Sequence, residues 1–276
     1  MPILTKALPL AAAAAVIVWI ALSGYVLVNR LLYEALQRRT ISALPRRVVM
    51  RMAADRSTPA WLGSGLAAHA ITRWGEARLL KDAVRHRGEG GRWRRIAALR
   101  VLVKAGHAES LPLLETAIGC GDATVVDAAV GLLGNVPDRR AALALFGALE
   151  RRLYNPSRVA TALERFPLDI ADQLLPRLGH ADPVVRFWAA VLLERWPHAA
   201  GLGARLASLA TDPDACVRKA AVDTLSRIGA PEAAAAAVKL LDDPVLFVRA
   251  HAARALGELR RVDLAEHLLP LLADRE

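Results

Sequence analysis

Two segments near the C-terminal end of the chain place apolar residues at helical spacing, which gives each segment one apolar face. The faces are formed by Val217, Ala221, Leu225 and Ile228 in the first segment and by Val248, Ala252, Leu256 and Leu259 in the second. Apolar positions that recur every three or four residues predict amphipathic α-helices. Beyond Gly229 and Gly257, a second and shorter helix is predicted at residues 232–241 and 264–272. The pattern therefore predicts pairs of helices.

The same local sequence recurs along the C-terminal two thirds of the chain. Asp-Pro followed by Val-Arg occurs at residues 182–186, 212–218 and 243–249. The position of the arginine recurs every 28 to 32 residues, at Arg95, Asp127, Arg158, Arg186, Arg218 and Arg249. The aspartate can cap a helix N-terminus, and proline is tolerated in the first helical turn. A single helix pair cannot bury its own apolar face, so the recurrence predicts six stacked pairs.

The composition also favours helices over a β-sandwich or barrel. Apolar residues make up 54% of the chain but aromatic residues only 5%, so alanine and leucine must fill most of the core. A β-sandwich would use more β-branched and aromatic residues. The two cysteines, Cys120 and Cys216, are too few for a disulfide scaffold and lack the spacing of a zinc site. The predicted fold class is all-α, with an α-solenoid of antiparallel helix pairs in repeats of about 31 residues.

An uncharged run of 23 residues, from Ala7 to Asn29, lies near the N-terminus. As a helix it would reach about 34 Å, enough to cross the hydrocarbon core of a bilayer. A cleavable signal peptide is the alternative, because residues 21–23 (Ala-Leu-Ser) resemble a weak cleavage site. However, the apolar run continues beyond that site, and Lys6 is the one basic residue before it. We therefore expect a single retained transmembrane helix at residues 7–29, after a short tail at residues 1–6.

Basic residues are concentrated in the front part of the chain. Residues 1–106 contain 18 Lys or Arg and 5 Asp or Glu, whereas the remaining residues contain 19 and 22. Basic residues favour the cytoplasmic flank of a transmembrane helix. Six arginines on the C-terminal side of the run are expected to lie against anionic lipid headgroups: Arg30, Arg38, Arg39, Arg46, Arg47 and Arg51. The chain is thus expected in the bacterial inner membrane as a single-pass protein, with its N-terminus outside and its solenoid in the cytoplasm.

The remaining boundaries follow from these two regions. Residues 30–60 are predicted to form a basic juxtamembrane helix and a hinge, because Pro45 ends the helical pattern. Residues 61–90 are predicted to be a diverged first helix pair that caps the stack, and residues 91–276 to contain the repeats. No aromatic ladder or nucleic-acid motif accompanies the arginines, so nucleic acid is not an expected partner.

The Asp-Pro…Val-Arg-x-x-Ala-Ala-x-x-Leu pattern resembles HEAT repeats, particularly the short form of the phycobilisome-lyase-type HEAT-like proteins. The resemblance is strong over residues 181–273, fair over 91–134 and weak over 155–175, and it does not cover residues 1–60. In that family, the Asp and Arg at these positions form a hydrogen-bonded ladder between repeats. The resemblance therefore implies a structural ladder formed by Asp182, Arg186, Asp212, Arg218, Asp243 and Arg249.

Residues that carry chemistry show no recognisable catalytic or metal-binding arrangement. The seven histidines have no i, i+4 pairing, and no P-loop, GxSxG or dinucleotide-binding glycine pattern occurs. Cys216 lies on a packing helix and is interpreted as a buried structural thiol. The sequence therefore predicts no cofactor, no metal site and no enzymatic activity.

The aromatic residues of the last repeats offer a candidate protein-binding surface. Phe187, Trp188, Trp196 and Phe247 are the candidates, because exposed aromatic residues often anchor protein interfaces. Packing between helices is the alternative interpretation. The leading hypothesis is a membrane-tethered, non-catalytic scaffold for an unidentified protein partner, such as a membrane enzyme or an envelope complex. Two alternatives stay open, namely a bilin-lyase-like or related modifying HEAT protein and a periplasmic solenoid released by signal cleavage.

Overall fold

The computed structural model describes residues 48, 49, 52, 53, 55, 60–84 and 89–273. The transmembrane helix predicted at residues 7–29 lies outside the described residues, and so do the six arginines expected at the lipid headgroups. Within the described residues, no helix is long and apolar enough to span a membrane. The same part of the chain contains no strand, and its regular structure consists of α-helices and 3-10 helices.

The described residues form helices α1 Ala60–Trp74, α2 Glu76–Val84, α3 Glu89–Lys104, α4 Ser110–Ile118, α5 Ala123–Leu133, α6 Arg139–Glu150, α7 Pro156–Glu164, α8 Ala171–Leu174, α9 Pro183–Leu192, α10 Leu202–Ser208, α11 Ala215–Arg227, α12 Ala233–Leu240 and α13 Leu246–Glu258. Four 3-10 segments complete them at Leu175–Gly179, Leu193–Arg195, Leu209–Thr211 and Val262–Ala273. The last of these segments covers residues 264–272, where an α-helix was predicted. Pro270 has no amide hydrogen to donate within that segment.

The chain divides into two compact units. Of the described residues, the first unit contains those up to Asp82 together with Arg100–His107, and the second contains those between Ala83 and Leu99 and those from Ala108 onward. In the first unit, α1 buries Leu66 and α2 buries Leu79. In the same unit, the His107 ring hydrogen-bonds the Glu76 carboxylate, with 2.8 Å between Nε2 and Oε1.

In the second unit, helices with the repeated sequence alternate with shorter helices. We call α5, α7, α9, α11 and α13 the repeat helices. Each repeat helix packs against the next, from α5 on α7 to α11 on α13. The shorter helices also contact their own neighbours, since α4 packs on α6 and α10 packs on α12. The second unit is therefore a stack of helix pairs.

Side-chain caps begin four of the repeat helices. Asp122, Asn155, Asp182 and Asp214 accept hydrogen bonds from the first backbone amides of α5, α7, α9 and α11. The predicted Asp-Pro start is observed for α9, where Pro183 follows the capping aspartate. For α11, however, the cap is Asp214 rather than Asp212, and α13 follows Val245 without a side-chain cap. Asp212 and Asp243 lie two residues before these caps, in turns where each accepts the amide of the second residue that follows it.

Small and branched aliphatic side chains fill the core of the second unit. Val217, Ala221 and Leu225 of α11 are fully buried, as are Val248 and Ala252 of α13. These are positions of the two apolar faces that the helical spacing defines. Two phenylalanines, Phe146 and Phe166, are also fully buried. The predicted core composition, alanine and leucine with few aromatic residues, is therefore the observed one.

Candidate functional site

Arginines of the repeat helices reach a carboxylate in the following repeat. Arg186 donates from Nε and Nη2 to both oxygens of Asp212, each at 2.7 Å. Arg218 makes the same two-point contact with Asp243, at 2.6 and 2.8 Å. The aspartate side chains are 5% and 3% exposed, respectively. Two parallel hydrogen bonds between a guanidinium and a carboxylate fix both groups in distance and orientation.

The same arginines also hold the turn that precedes their own helix. Arg186 Nη1 donates to the carbonyl oxygens of His180 and Ala181, both at 2.8 Å. Arg218 donates to the carbonyl of Asp212 at 2.8 Å, and Arg249 donates to that of Asp243 at 3.1 Å. Each arginine therefore binds its own turn, and Arg186 and Arg218 additionally bind the carboxylate of the next turn.

The guanidinium groups keep the carboxylates of these turns ionised. Hydrogen bonds from Arg218 lower the pKa of Asp243 below its usual value, and those from Arg152 do the same for Asp182. Burial raises the pKa of Asp212, but hydrogen bonds from Arg186 and from the Asp214 amide outweigh burial, so the net shift is downward. Each of these pairs therefore consists of a carboxylate and a guanidinium.

Three further contacts join repeats that come earlier in the chain than the Arg186 and Arg218 pairs. None of the three was predicted. Arg152 donates to both oxygens of Asp182, each at 2.8 Å, and Arg92 Nε donates to Asp122 at 2.8 Å. Between them, the Tyr154 hydroxyl donates to Asp127 at 3.0 Å. The repeat alignment pointed to Arg158 at this level, but that residue is exposed on α7. The spacing of 30 residues that Arg92–Asp122 shares with Arg152–Asp182 was the available signal.

The four candidate aromatic residues lie in different surroundings. Phe187 and Trp188 of α9 are half-buried and meet edge to face, with 5.0 Å between ring centroids. Trp196 is also half-buried, and the Arg195 guanidinium carbon lies 5.4 Å from its ring centroid. Phe247 is 41% exposed at the start of α13. The structure thus brings Phe187 and Trp188 together and leaves Phe247 the most accessible of the four.

One set of partly exposed side chains on the last three repeat helices includes three of the four aromatic residues, Phe187, Trp188 and Phe247, together with basic groups. We call it the outward face, and it consists of Val184, Phe187, Trp188 and Val191 on α9, Cys216 and Lys219 on α11, and Phe247, His251 and Arg254 on α13. Relative to the arginine of each helix, Val184, Cys216 and Phe247 occupy one equivalent position, and Trp188 and His251 another. None of these residues belongs to the fully buried core.

A buried carboxylate lies next to this face. Asp223 of α11 has a side chain that is 4% exposed, and three basic side chains contact it: Lys219, His251 and Arg254. Burial raises the pKa of Asp223, but hydrogen bonds from His251 and Lys219 outweigh burial and lower it. The cluster therefore contains an ionised carboxylate beneath basic groups that reach the surface.

Cys216 is exposed, so the interpretation as a buried structural thiol is wrong. The residue is the second of α11 and precedes Val217, where the buried face of that helix begins. Cys120 is half-buried. In the part of the chain that the structure describes, no three His, Cys, Asp or Glu residues come together as a possible metal site.

The C-terminal repeats match a known family. Residues 171–256 and 203–276 match the family model described as HEAT repeats. This C-terminal region consists of HEAT repeats. The family assignment agrees with the Asp-Pro…Val-Arg pattern and with the stacked helix pairs of the second unit. No curated protein matches the chain.

Two solved structures are similar to the chain. Human deoxyhypusine hydroxylase in complex with glycerol shares 17% identity over 83% of this chain and 99% of its own, with a TM-score of 0.33. The complex of CpcE and CpcF of phycocyanin lyase from Nostoc sp. shares 22% identity over 79% of this chain and 94% of the matched chain, with a TM-score of 0.34.

These comparisons correct the prediction that the protein is not an enzyme. Both similar structures are of proteins named for an enzymatic activity, a hydroxylase and a lyase. The prediction rested on the absence of a recognisable catalytic motif in the sequence.

Proposed function

We propose that the protein binds a partner protein through the outward face of its HEAT repeats. The observation that carries this proposal is the exposure of Phe247 on this face and of the neighbouring Leu246, which are 41% and 42% exposed at the start of α13. The same helix buries Val248, Ala252 and Leu256, so its core face is complete without them. Exposed aromatic and aliphatic side chains in a group are typical anchors of protein interfaces.

The half-buried residues of α9 extend the same apolar surface. Phe187 and Trp188 pack against each other, and Val184 and Val191 lie one turn to either side of them on the same helix. Aromatic rings that are already held by a neighbour lose little conformational freedom when a partner covers them. This arrangement supports α9 as the second contact site of the partner.

The proposal places this binding surface at the cytoplasmic face of the bacterial inner membrane. It is supported by the 23 uncharged residues at positions 7–29 and by the arginines that follow them. A cytoplasmic reporter fused after Glu276 should be active, whereas a reporter that works only outside the cytoplasm should be silent. The opposite pattern would overturn the orientation, and the mass of the mature protein distinguishes a retained anchor from a cleaved signal peptide.

Co-purification with matched variants tests the binding surface. Full-length tagged protein is purified from native membranes as wild type, Phe247→Ser and Leu143→Ser, and the co-purified proteins are quantified. Leu143 is the control because it is 50% exposed on α6, which carries no residue of the outward face. We expect Phe247→Ser to lose a partner that wild type and Leu143→Ser both retain, with unchanged thermal melting. Equal recovery from all three proteins would contradict the proposal.

A further inference from the structure

Three basic side chains converge on one carboxylate beside the outward face. His251 Nδ1 and Arg254 Nη2 each lie 2.9 Å from Oδ1 of Asp223, and Lys219 Nζ lies 3.2 Å from its Oδ2. The basic side chains are 30%, 23% and 52% exposed for Lys219, His251 and Arg254, whereas that of Asp223 is 4% exposed. The carboxylate is therefore the buried member of the cluster, and the three basic side chains reach the surface.

The hydrogen bonds within the cluster cannot all be favourable at once. Arg254 Nη2 lies 2.9 Å from His251 Nδ1 as well as from Asp223 Oδ1. A guanidinium can only donate hydrogen bonds. If Nδ1 carries a proton, it donates to Asp223 but faces the donor of Arg254. If Nδ1 carries none, it accepts from Arg254 but faces the oxygen of Asp223. Either state leaves one unfavourable contact, which another acceptor for Arg254 would remove.

One further acidic group faces the cluster from α13. Glu258 is 47% exposed, and its Oε1 lies 3.5 Å from Nε of Arg254. Its other oxygen accepts a hydrogen bond from the Ser226 hydroxyl at 3.1 Å. Glu258 therefore contacts the guanidinium at its Nε and is itself held by α11. The Nη2 group contacts the Asp223 carboxylate and also faces the ring nitrogen of His251, so the crowded contact of the cluster lies at Nη2.

We propose that Lys219, His251 and Arg254 bind a carboxylate side chain of the partner, within an acidic segment that also carries apolar residues. This inference rests on the proposed function and specifies the chemistry of the partner. A carboxylate offers the planar pair of acceptors that a guanidinium binds best. Phe247 lies one turn before His251 on the same helix, so an apolar residue next to the acidic one would contact its ring.

Histidine-selective NMR on the full-length protein in detergent micelles tests this directly. The probe is a blocked peptide of sequence Leu-Glu-Glu-Phe-Glu, and the matched control peptide has glutamine in place of each glutamate. The resonance of His251 is assigned from His251→Gln. We expect the acidic peptide to shift that resonance to saturation. The dissociation constant of the glutamine peptide should be at least about tenfold higher.

Variants connect the binding to the cluster. Arg254→Gln and Lys219→Gln should each weaken binding of the acidic peptide by about fivefold or more, in line with a lost charge-assisted hydrogen bond. Arg227→Gln is the control, because Arg227 is an exposed arginine of α11 that pairs with Glu194 at 2.6 Å. Its affinity for the peptide should equal that of wild type. Equal binding of both peptides, or no effect of Arg254→Gln, would overturn the inference.

Inorganic phosphate distinguishes a protein carboxylate from a free anion. Phosphate offers the same kind of oxygen acceptors, so tighter binding of phosphate than of the acidic peptide would assign the cluster to a small anion and overturn the peptide proposal. A different result would contradict the proposed function without contradicting this inference. If the acidic peptide binds the cluster but Phe247→Ser retains the native partner, the outward face is not the partner surface, although the cluster still binds carboxylates.

Discussion

Arg218 joins two consecutive repeats through Asp243, to which its guanidinium donates hydrogen bonds of 2.6 and 2.8 Å. The same side chain donates to the carbonyl oxygen of Asp212, in the turn before its own helix. The two carboxylate oxygens of Asp212 in turn accept hydrogen bonds from Arg186 of the preceding repeat. One continuous series of charged hydrogen bonds therefore connects the turns that precede α9, α11 and α13.

Removing one arginine of this series should destabilise the repeats. In Arg218→Ala, the nearly buried Asp243 carboxylate keeps the Val245 amide but loses both guanidinium bonds, and we expect a loss of about 1.5–3 kcal/mol in the free energy of unfolding. Urea unfolding followed by circular dichroism measures it. Arg158→Ala, at the exposed equivalent position on α7, should change stability by less than about 0.5 kcal/mol. Equal midpoints for the two variants would contradict a stabilising role for Arg218.

The lowered carboxylate pKa values predict how stability depends on pH. The pKa values of Asp182 and Asp243 are lower in the folded protein, so these groups stabilise the fold above their unfolded pKa of about 3.9. That contribution is lost as pH falls through the folded pKa values. We expect a steady urea midpoint from neutral pH to about pH 5 and a decline below about pH 4. In Arg218→Ala the decline should be shallower, and an unchanged slope would count against the pairing.

The helix pairs could be predicted from the sequence because residues within each repeat mark where its helix begins and which of its positions are buried. The spacing of Val217, Ala221 and Leu225 predicts a helix that α11 confirms, and Asp182-Pro183 starts α9 as predicted. Alignment failed in the third repeat, where Arg152 rather than Arg158 meets Asp182. Arg152 has a backbone φ of 52° in the loop before α7, so its direction depends on a turn that periodicity cannot reveal.

The basic cluster was missed for a different reason. Asp223 and Arg254 lie 31 residues apart, which places them at the same position of consecutive repeats. From the sequence alone, an acidic residue in one repeat and a basic residue in the next indicate only a variable surface position. Their contact, and that of His251, requires α13 to pack on α11 in the observed register. The exposure of Cys216 and Phe247 likewise depends on which side of each helix the neighbouring repeats cover.

Close approach of two repeat helices makes Gly134 sensitive to substitution. A Cβ atom at this position would lie 2.8 Å from the carbonyl oxygen of Ala162 in α7, closer than the backbone can tolerate. Gly134→Ala should therefore cost about 1–3 kcal/mol, as overpacking does elsewhere. At Gly119, which also ends a helix, the nearest atom to a new Cβ is 3.9 Å away, so Gly119→Ala should melt like wild type. Identical melting of both variants would show that α5 and α7 do not approach this closely.

The two thiols should differ in reactivity toward a small disulfide reagent. Cys216 is exposed in the first turn of α11, whereas Cys120 is half-buried. In native protein we expect one thiol to react rapidly and the second slowly, with Cys216→Ser removing the rapid phase. Loss of the slow phase instead would place Cys216 inside the fold.

The central claim is that a partner protein covers Phe247, and site-specific photocrosslinking in native membranes tests it most directly. p-Benzoyl-phenylalanine is introduced in place of Phe247 in one protein and in place of Leu143 in another. Both positions are exposed, but Phe247 lies on the repeat helix α13 and Leu143 on the shorter helix α6. The account predicts one discrete adduct from position 247 after irradiation and none of that mass from position 143. No adduct at 247, or the same adducts from both positions, would contradict the claim that the outward face binds a partner.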